Sequence, residues 1–237
     1  MSSYEGRPIF IFGNQRSGTR MVASILNQHK NIVITDEAHS FSNLHALIRQ
    51  ADRMPRNDGW KYSRVEIAQN FMIETSAQYI RDSSTTARRF GNKTPGLEFM
   101  LDQVKSIFPD AIFIYCLRHP VKVVRSLKNM PWNKRTTQEN WDRFKASVEI
   151  FEKMKPRAML VQVDQVSNVD EQRKLVRDLL DFVGEDLDEN MPYYSGDEWT
   201  PANTIKKPLD SLSDTEMSSI TNDRYYKKFC KKYGYDQ

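Results

Sequence analysis

Apolar positions along this chain fall into short unbroken runs separated by longer stretches of helical spacing. Pro8-Ile9-Phe10-Ile11-Phe12, Asn31–Thr35 (NIVIT), Ala111–Leu117 (AIFIYCL) and Ala158–Val163 (AMLVQV) are the runs. They are short, and rich in β-branched and aromatic residues, which predicts strands buried on both faces. Between them the spacing changes. From Thr19 the apolar residues are Met21, Val22, Ile25 and Leu26, a helical period. Helices are also predicted over Asn43–Ala51, Ser63–Ile80, Glu98–Phe108, Thr137–Lys155, Asp170–Val183, Ser211–Thr221 and Arg224–Tyr233. Pro109 and Gly184 stop two of them, and Pro120 suits a first helical turn. Ser63 with Glu66 and Ser213 with Glu216 have capping-box spacing. Met54–Trp60 is expected to be a loop, Gly184–Lys207 is expected to be irregular, and Arg88–Gly96 does not read as a helix. Strands alternating with helices predict an α/β, three-layer domain over 1–237, a mostly parallel sheet flanked by helices. In such sheets ligands sit beyond the carboxyl ends of the strands.

Composition narrows the class. At 237 residues the chain suffices for one α/β domain with a sizeable core. It is 39% hydrophobic and 28% charged, hence globular. A net charge of +4 suits a small anionic ligand better than a dedicated nucleic-acid surface. Cys116 and Cys230 lack any motif partner, so a reducing compartment is expected, with Cys116 a buried small hydrophobe. No stretch approaches the length of a membrane span. The expectation is a soluble, cytoplasmic protein, or the trimmed catalytic domain of an anchored one.

The chemistry concentrates after the first strand. Gly13 and Gly18 bracket a loop that runs into a helix, which offers free backbone N–H groups and a positive dipole end. Arg16, Ser17, Thr19 and Arg20 add side-chain donors, so the loop predicts a phosphate site. Its glycine spacing is that of Walker A, but Thr19 stands in the lysine position and Arg20 in that of the magnesium-binding hydroxyl. A cation there repels a metal, so the loop is expected to hold phosphate without magnesium. A second signal is YCLRHPVKVVRSLKN, where a buried strand delivers Arg118 to the edge of the sheet and Ser126 follows about two helical turns later. The planar fork of arginine suits phosphate.

GNQRSGTRM resembles the 5′-phosphosulfate loop of the sulfotransferases, with Arg20 where a second Thr is usual and Arg16 for the common Lys. That family moves a sulfuryl group from 3′-phosphoadenosine 5′-phosphosulfate (PAPS) to a hydroxyl or amine, leaving 3′-phosphoadenosine 5′-phosphate (PAP). The resemblance implies a P-loop NTPase-like core without a metal, with Gln15, Arg16, Ser17, Gly18, Thr19 and Arg20 on the 5′-phosphosulfate. It places Arg118 and Ser126 on the 3′-phosphate. Lys93, in GNKTP, matches a Lys-Thr-Pro pattern near the active centre and is expected on the sulfuryl group or the acceptor, where a cation stabilises developing charge. Asp164 matches an acidic turn residue with a structural role. An attacking hydroxyl needs a base within reach; Glu37 resembles the Glu of sugar- and tyrosine-directed members and is preferred to His39, while His119 is a poor candidate. The Arg-Lys-Gly ending of the cytosolic small-molecule branch is absent. Lys206 or Lys207 is assigned to the nucleotide on a carbohydrate-type or bacterial-type tail. Trp60, Trp132, Trp199 and Tyr193 can each stack on adenine. The expected acceptor is a carbohydrate-like, small-molecule or peptide hydroxyl. Two other classes remain compatible: a P-loop kinase, and a non-catalytic module that tracks nucleic acid with the 35 Lys and Arg residues. A third is a sulfotransferase-like protein that binds nucleotide without transfer.

Overall fold

Strands rich in Ile, Phe, Val and Tyr settle where both faces can be covered. In the computed structural model, which describes residues 7–36, 87–154, 157–195 and 210–235, they form one parallel sheet. The strands are β1 (Ile9–Gly13), β2 (Ile32–Asp36), β3 (Arg89–Lys93), β4 (Ile112–Leu117) and β5 (Ala158–Gln162). Their spatial order is β2-β3-β1-β4-β5, with every neighbouring pair parallel. The helices are α1 (Thr19–Leu26), α2 (Leu101–Ile107), α3 (Pro120–Lys128), α4 (Thr137–Met154), α5 (Val169–Val183), α6 (Pro192–Ser195), α7 (Asp214–Thr221) and α8 (Arg224–Tyr233). Among the described residues no helix is long and apolar enough to cross a membrane.

Strand alternation sorts the core by chemistry. Ile9, Ile11, Ile32, Ile34, Ile112, Ile114 and Cys116 face α1 and α5 in an aliphatic layer. Phe10, Phe12, Phe113 and Tyr115 face the other way, into an aromatic layer with Trp141, Phe144 and Phe151 of α4 and Phe229 of α8. Tyr115 and Phe151 stack with ring centres 4.3 Å apart. Both cysteines are buried.

The structure adds to or corrects the sequence reading at three places. Arg88–Gly96, read only as non-helical, contains β3 (Arg89–Lys93), inserted between β1 and β2. Its Gly and Asn have low strand propensity, but two flanking strands supply its ladder on both sides, and tertiary pairing overrides propensity. The helix expected from Glu98 begins instead as a tight 3₁₀ turn, Leu97–Met100, ahead of α2. Gly184–Lys207, expected irregular, contains α6. Other features stand as read. Pro120 opens α3. Ser213 and Glu216 form the capping box of α7. Gly184 ends α5 in the left-handed region, while Asn168, a cap not read from the sequence, accepts from the Glu171 amide at 2.9 Å. The segments Asn43–Ala51, Met54–Trp60 and Ser63–Ile80, with the Ser63–Glu66 box, lie outside the described residues.

Candidate active site

The carboxyl ends of β2, β3, β1, β4 and β5 deliver Asp36, Lys93, Gly13, Arg118 and Val163 to one edge of the sheet. The loop from Asn14 to Gly18 connects β1 to α1 over this edge. It closes on itself through the Ser17 amide, which donates to the Asn14 carbonyl at 3.1 Å. Arg16 has φ of 70° and is the one non-glycine residue in the left-handed region among the described residues. Such a conformation costs about 1 kcal/mol or more and clusters at functional sites. Gly18 caps α1 without a side-chain hydrogen bond, and no acid lies in the first turn. The first amides of α1 are therefore open to an anion.

Two side chains of the loop are buried with a polar atom unsatisfied. Ser17 is fully buried and Asn14 nearly so. Neither the Ser17 hydroxyl nor the Asn14 amide nitrogen has a hydrogen-bond partner. Buried polar atoms of this kind normally find partners, and an anion seated on the loop would satisfy both.

The second motif meets the first at Arg16. Arg118, just past β4, donates from Nη1 to the Arg16 carbonyl at 3.2 Å. Ser126, on the buried side of α3, accepts from Arg16 Nε at 3.0 Å. Three residues from two distant stretches thus form one cationic cluster. Asp164, in the 3₁₀ turn after β5, holds the cluster from behind. It accepts from the His119 amide at 2.6 Å and from Lys122 Nζ at 2.8 Å, and lies 3.9 Å from Arg118 Nε. This is the structural role expected of it. Burial lowers the His119 pKa, with Asp164 opposing and Lys122 and Arg118 reinforcing. Its ring packs edge-on against Tyr226 and Tyr235, and its Nδ1 is buried without a partner.

Lys93 is 1% exposed although it ends a strand. Its Nζ pairs with Asp36, whose other oxygen lies 3.5 Å from Arg20 Nε. Asp36 is half exposed, so this carboxylate sits between two cations at the rim of the site. Below it, Asn92 donates to Thr35 Oγ1 at 2.9 Å and accepts from Thr94 Oγ1, tying β3 to β2 at the same edge.

Arg16, Ser17, Gly18, Thr19, Arg20, Lys93, Arg118 and Ser126 are thus brought to one edge of the sheet, with Gln15 in the loop between them. Glu37, His39, Lys206, Lys207, Trp60 and Trp199 lie outside the described residues. Tyr193 belongs to the aliphatic core with α5 and is no adenine platform. Trp132 is exposed on the turn after α3. Two residues escaped the sequence reading. Asn14 was detectable as the polar residue directly after Gly13. Asp36 was visible only as one acid in a polar turn; its partners come from α1 and β3.

The comparisons fit this geometry. Residues 8–189 match the sequence model described as "Sulfotransferase family". The nodulation protein NoeE of Sinorhizobium fredii is 28% identical over 130 residues, a match covering 51% of this chain and 30% of NoeE. The chain therefore spans less than a third of that relative. The sulfotransferase domain of the Synechococcus PCC 7002 olefin synthase shares the fold with a TM-score of 0.62 at 19% identity, over 100% of this chain and 98% of that one. A sulfotransferase from Alicyclobacillus acidocaldarius gives 0.52 at 17% identity, over 94% of this chain and 93% of that one. The family pattern begins just before the anion loop and runs beyond both phosphate motifs and β5, so the chain belongs to the sulfotransferase family.

Proposed function

We propose that this protein transfers a sulfuryl group from PAPS to a hydroxyl of a carbohydrate-like acceptor. The observation that carries the donor assignment is the pair of buried, unpartnered donors, Ser17 Oγ and Asn14 Nδ2, on a loop whose Arg16 also engages Arg118 and Ser126. A single phosphate would need the loop alone. A second cationic position at Arg118 and Ser126 suits a ligand with two separated anionic groups, as PAPS has.

The residues divide the work by chemistry. The loop from Gln15 to Arg20 would hold the 5′-phosphosulfate on the α1 amides and the Ser17 hydroxyl. Arg118 and Ser126 would hold the 3′-phosphate. Arg16 and Lys93 would neutralise charge on the leaving phosphate and the sulfuryl oxygens, an effect that strengthens in a dry site. Lys93 suits this because its ammonium is buried. Asp36 and Arg20 flank it at the rim; Asp36 holds Lys93 in place rather than serving as base, since it already faces two cations. Glu37, the next residue, is assigned as the base that takes the acceptor's proton. When bound, PAPS supplies an electrophilic sulfuryl group whose bond to the bridging phosphate oxygen breaks as the acceptor oxygen bonds to sulfur. The products are the sulfate ester and PAP, with the proton on the base.

Isothermal titration with PAP in EDTA, beside ATP with magnesium, tests the donor assignment. Tight PAP binding that weakens strongly when the 3′-phosphate is omitted, and equally when Arg118→Ala replaces the wild type, is expected. Preference for magnesium-ATP would overturn the reading and favour a kinase.

A further inference from the structure

Glu98 is a buried carboxyl that the proposed chemistry does not use. It lies in the 3₁₀ turn after β3 and is 2% exposed. That turn is docked on the start of the anion loop. The Thr94 amide donates to the Ile11 carbonyl and the Gly96 amide to the Gly13 carbonyl, each at 3.0 Å. Glu98 follows Gly96 by two residues, so its carboxyl belongs to the segment that holds the Gly13 carbonyl.

From its other side Glu98 is tied to the far layer. Its Oε1 accepts from Ser147 Oγ on α4. Ser147 in turn lies 2.8 Å from the Tyr115 hydroxyl on β4. With the Ser147 proton committed to Glu98, Tyr115 is the donor to Ser147. The chain Tyr115–Ser147–Glu98 thus fastens the turn whose Gly96 amide holds the Gly13 carbonyl, where the anion loop departs. Glu98 Oε2 is buried without a hydrogen-bond partner. We propose that Glu98 is a positioning residue for the anion loop, fastening the turn that holds Gly13 to α4 and β4 through Ser147 and Tyr115.

The latch carries a linkage. The charged and titratable groups facing Glu98 are the Tyr115 phenol from β4 and the Arg143 guanidinium from α4. Burial raises the Glu98 pKa, opposed by the Ser147 hydrogen bond, the nearby backbone amides and Arg143. An anion seated on the loop adds negative charge above the carboxyl and favours its neutral form. By reciprocity, ionising Glu98 must weaken anion binding. Affinity should therefore fall, relative to a variant that cannot ionise, as pH rises through the Glu98 pKa.

The inference rests on the phosphosulfate assignment only in its ligand arm, so the test has two. Hydrogen exchange of the ligand-free protein is followed in the peptide spanning 13–19 for wild type, Glu98→Ala and Glu98→Gln. Glu98→Ala should speed exchange there about tenfold, the size of the lost Ser147 hydrogen bond that fastens the turn, while Glu98→Gln keeps it near wild type. PAP affinity is then measured from acid to alkaline pH. The ratio of wild-type to Glu98→Gln dissociation constants should climb about tenfold across the range, which removes the titration of the nucleotide itself from the comparison. Unchanged exchange in Glu98→Ala, or a ratio flat with pH, overturns the latch. Should wild type bind no PAP while the exchange difference holds, the donor assignment fails and the latch stands. Should Glu98→Ala not fold, Glu98→Gln and Ser147→Ala carry the same comparison.

Discussion

Gly18 joins the anion loop to α1, and replacing it with Ala perturbs the site in two separable ways. The residue has φ of 86°, which costs a residue bearing a Cβ about 1 kcal/mol. A Cβ at this position would also lie 2.6 Å from Val163 Cγ1 and 3.2 Å from both Val163 Cβ and Cγ2. Carbon atoms prefer separations of about 3.5–4.0 Å, so the gap is short by roughly 1 Å. Turning the valine only exchanges one methyl for the other. Crowding of this kind costs about 1–3 kcal/mol. The sum is about 2–4 kcal/mol, or roughly 5–15 °C in Tm for a chain of this length.

Gly234 provides the control within the same molecule. It ends α8 with φ of 71°, and a Cβ there would meet nothing within 4 Å. Gly234→Ala should therefore lose the backbone part alone, about 1 kcal/mol. Val163→Ala gives a third arm. Combined with Gly18→Ala, it should recover roughly 1–2 kcal/mol relative to the sum of the single variants. The assay is thermal unfolding of the four variants at one pH, with PAP titration on those that fold. Equal losses for Gly18→Ala and Gly234→Ala, or no recovery with Val163→Ala, would refute the packing argument. A Gly18→Ala protein that keeps wild-type PAP affinity would refute the placement of the anion on this loop.

Glu216 accepts from Lys128 Nζ and Thr137 Oγ1, each at 2.6 Å, and from the Ser213 amide at 2.8 Å. Led by the Lys128 hydrogen bond, these push its pKa down to about 2. Because the folded value lies below the unfolded one, the stabilisation is present above the ordinary carboxylate range and is lost as pH falls through about 2. The Tm gap between wild type and Glu216→Gln should stay constant at neutral pH and close in strong acid; a gap that persists there contradicts the clamp. Cys116 is fully buried and its thiol pKa is driven far up by burial, with Lys93 opposing. Cys230 is 2% exposed. Iodoacetamide should label neither thiol in the folded protein and both on unfolding, read by mass spectrometry; stoichiometric labelling of native protein would contradict their placement.

Local pattern carried much of this protein. The apolar runs at Ile9–Phe12 and Ile112–Leu117 could only be buried strands, because nothing polar interrupts them. The bounds of α8, the Gly184 end of α5 and the cap of α7 followed from residues adjacent in sequence, since capping is a contact between near neighbours. The two stretches proposed to hold phosphate share that local character. Each is a strand followed by a turn and a helix, with its donors packed into a few residues.

What only the tertiary structure decided involves partners far apart in the chain. Arg89–Lys93 is a strand because β1 and β2 lie on either side of it, and its own Gly91 and Asn92 argue the other way. Lys93 is buried against Asp36 because the order β2-β3-β1 places two strand ends together. Arg16 meets Arg118 and Ser126 because β4 lies beside β1, although Arg16 and Ser126 are 110 residues apart in the chain. Glu98 reads in sequence as an unremarkable acid at the start of a helix. It becomes a buried carboxyl held by Ser147 only when α4 closes over it. Propensity and periodicity describe what a residue meets within a turn or two of itself. Which distant charges share a low-dielectric edge is set by strand order, and no local pattern records it.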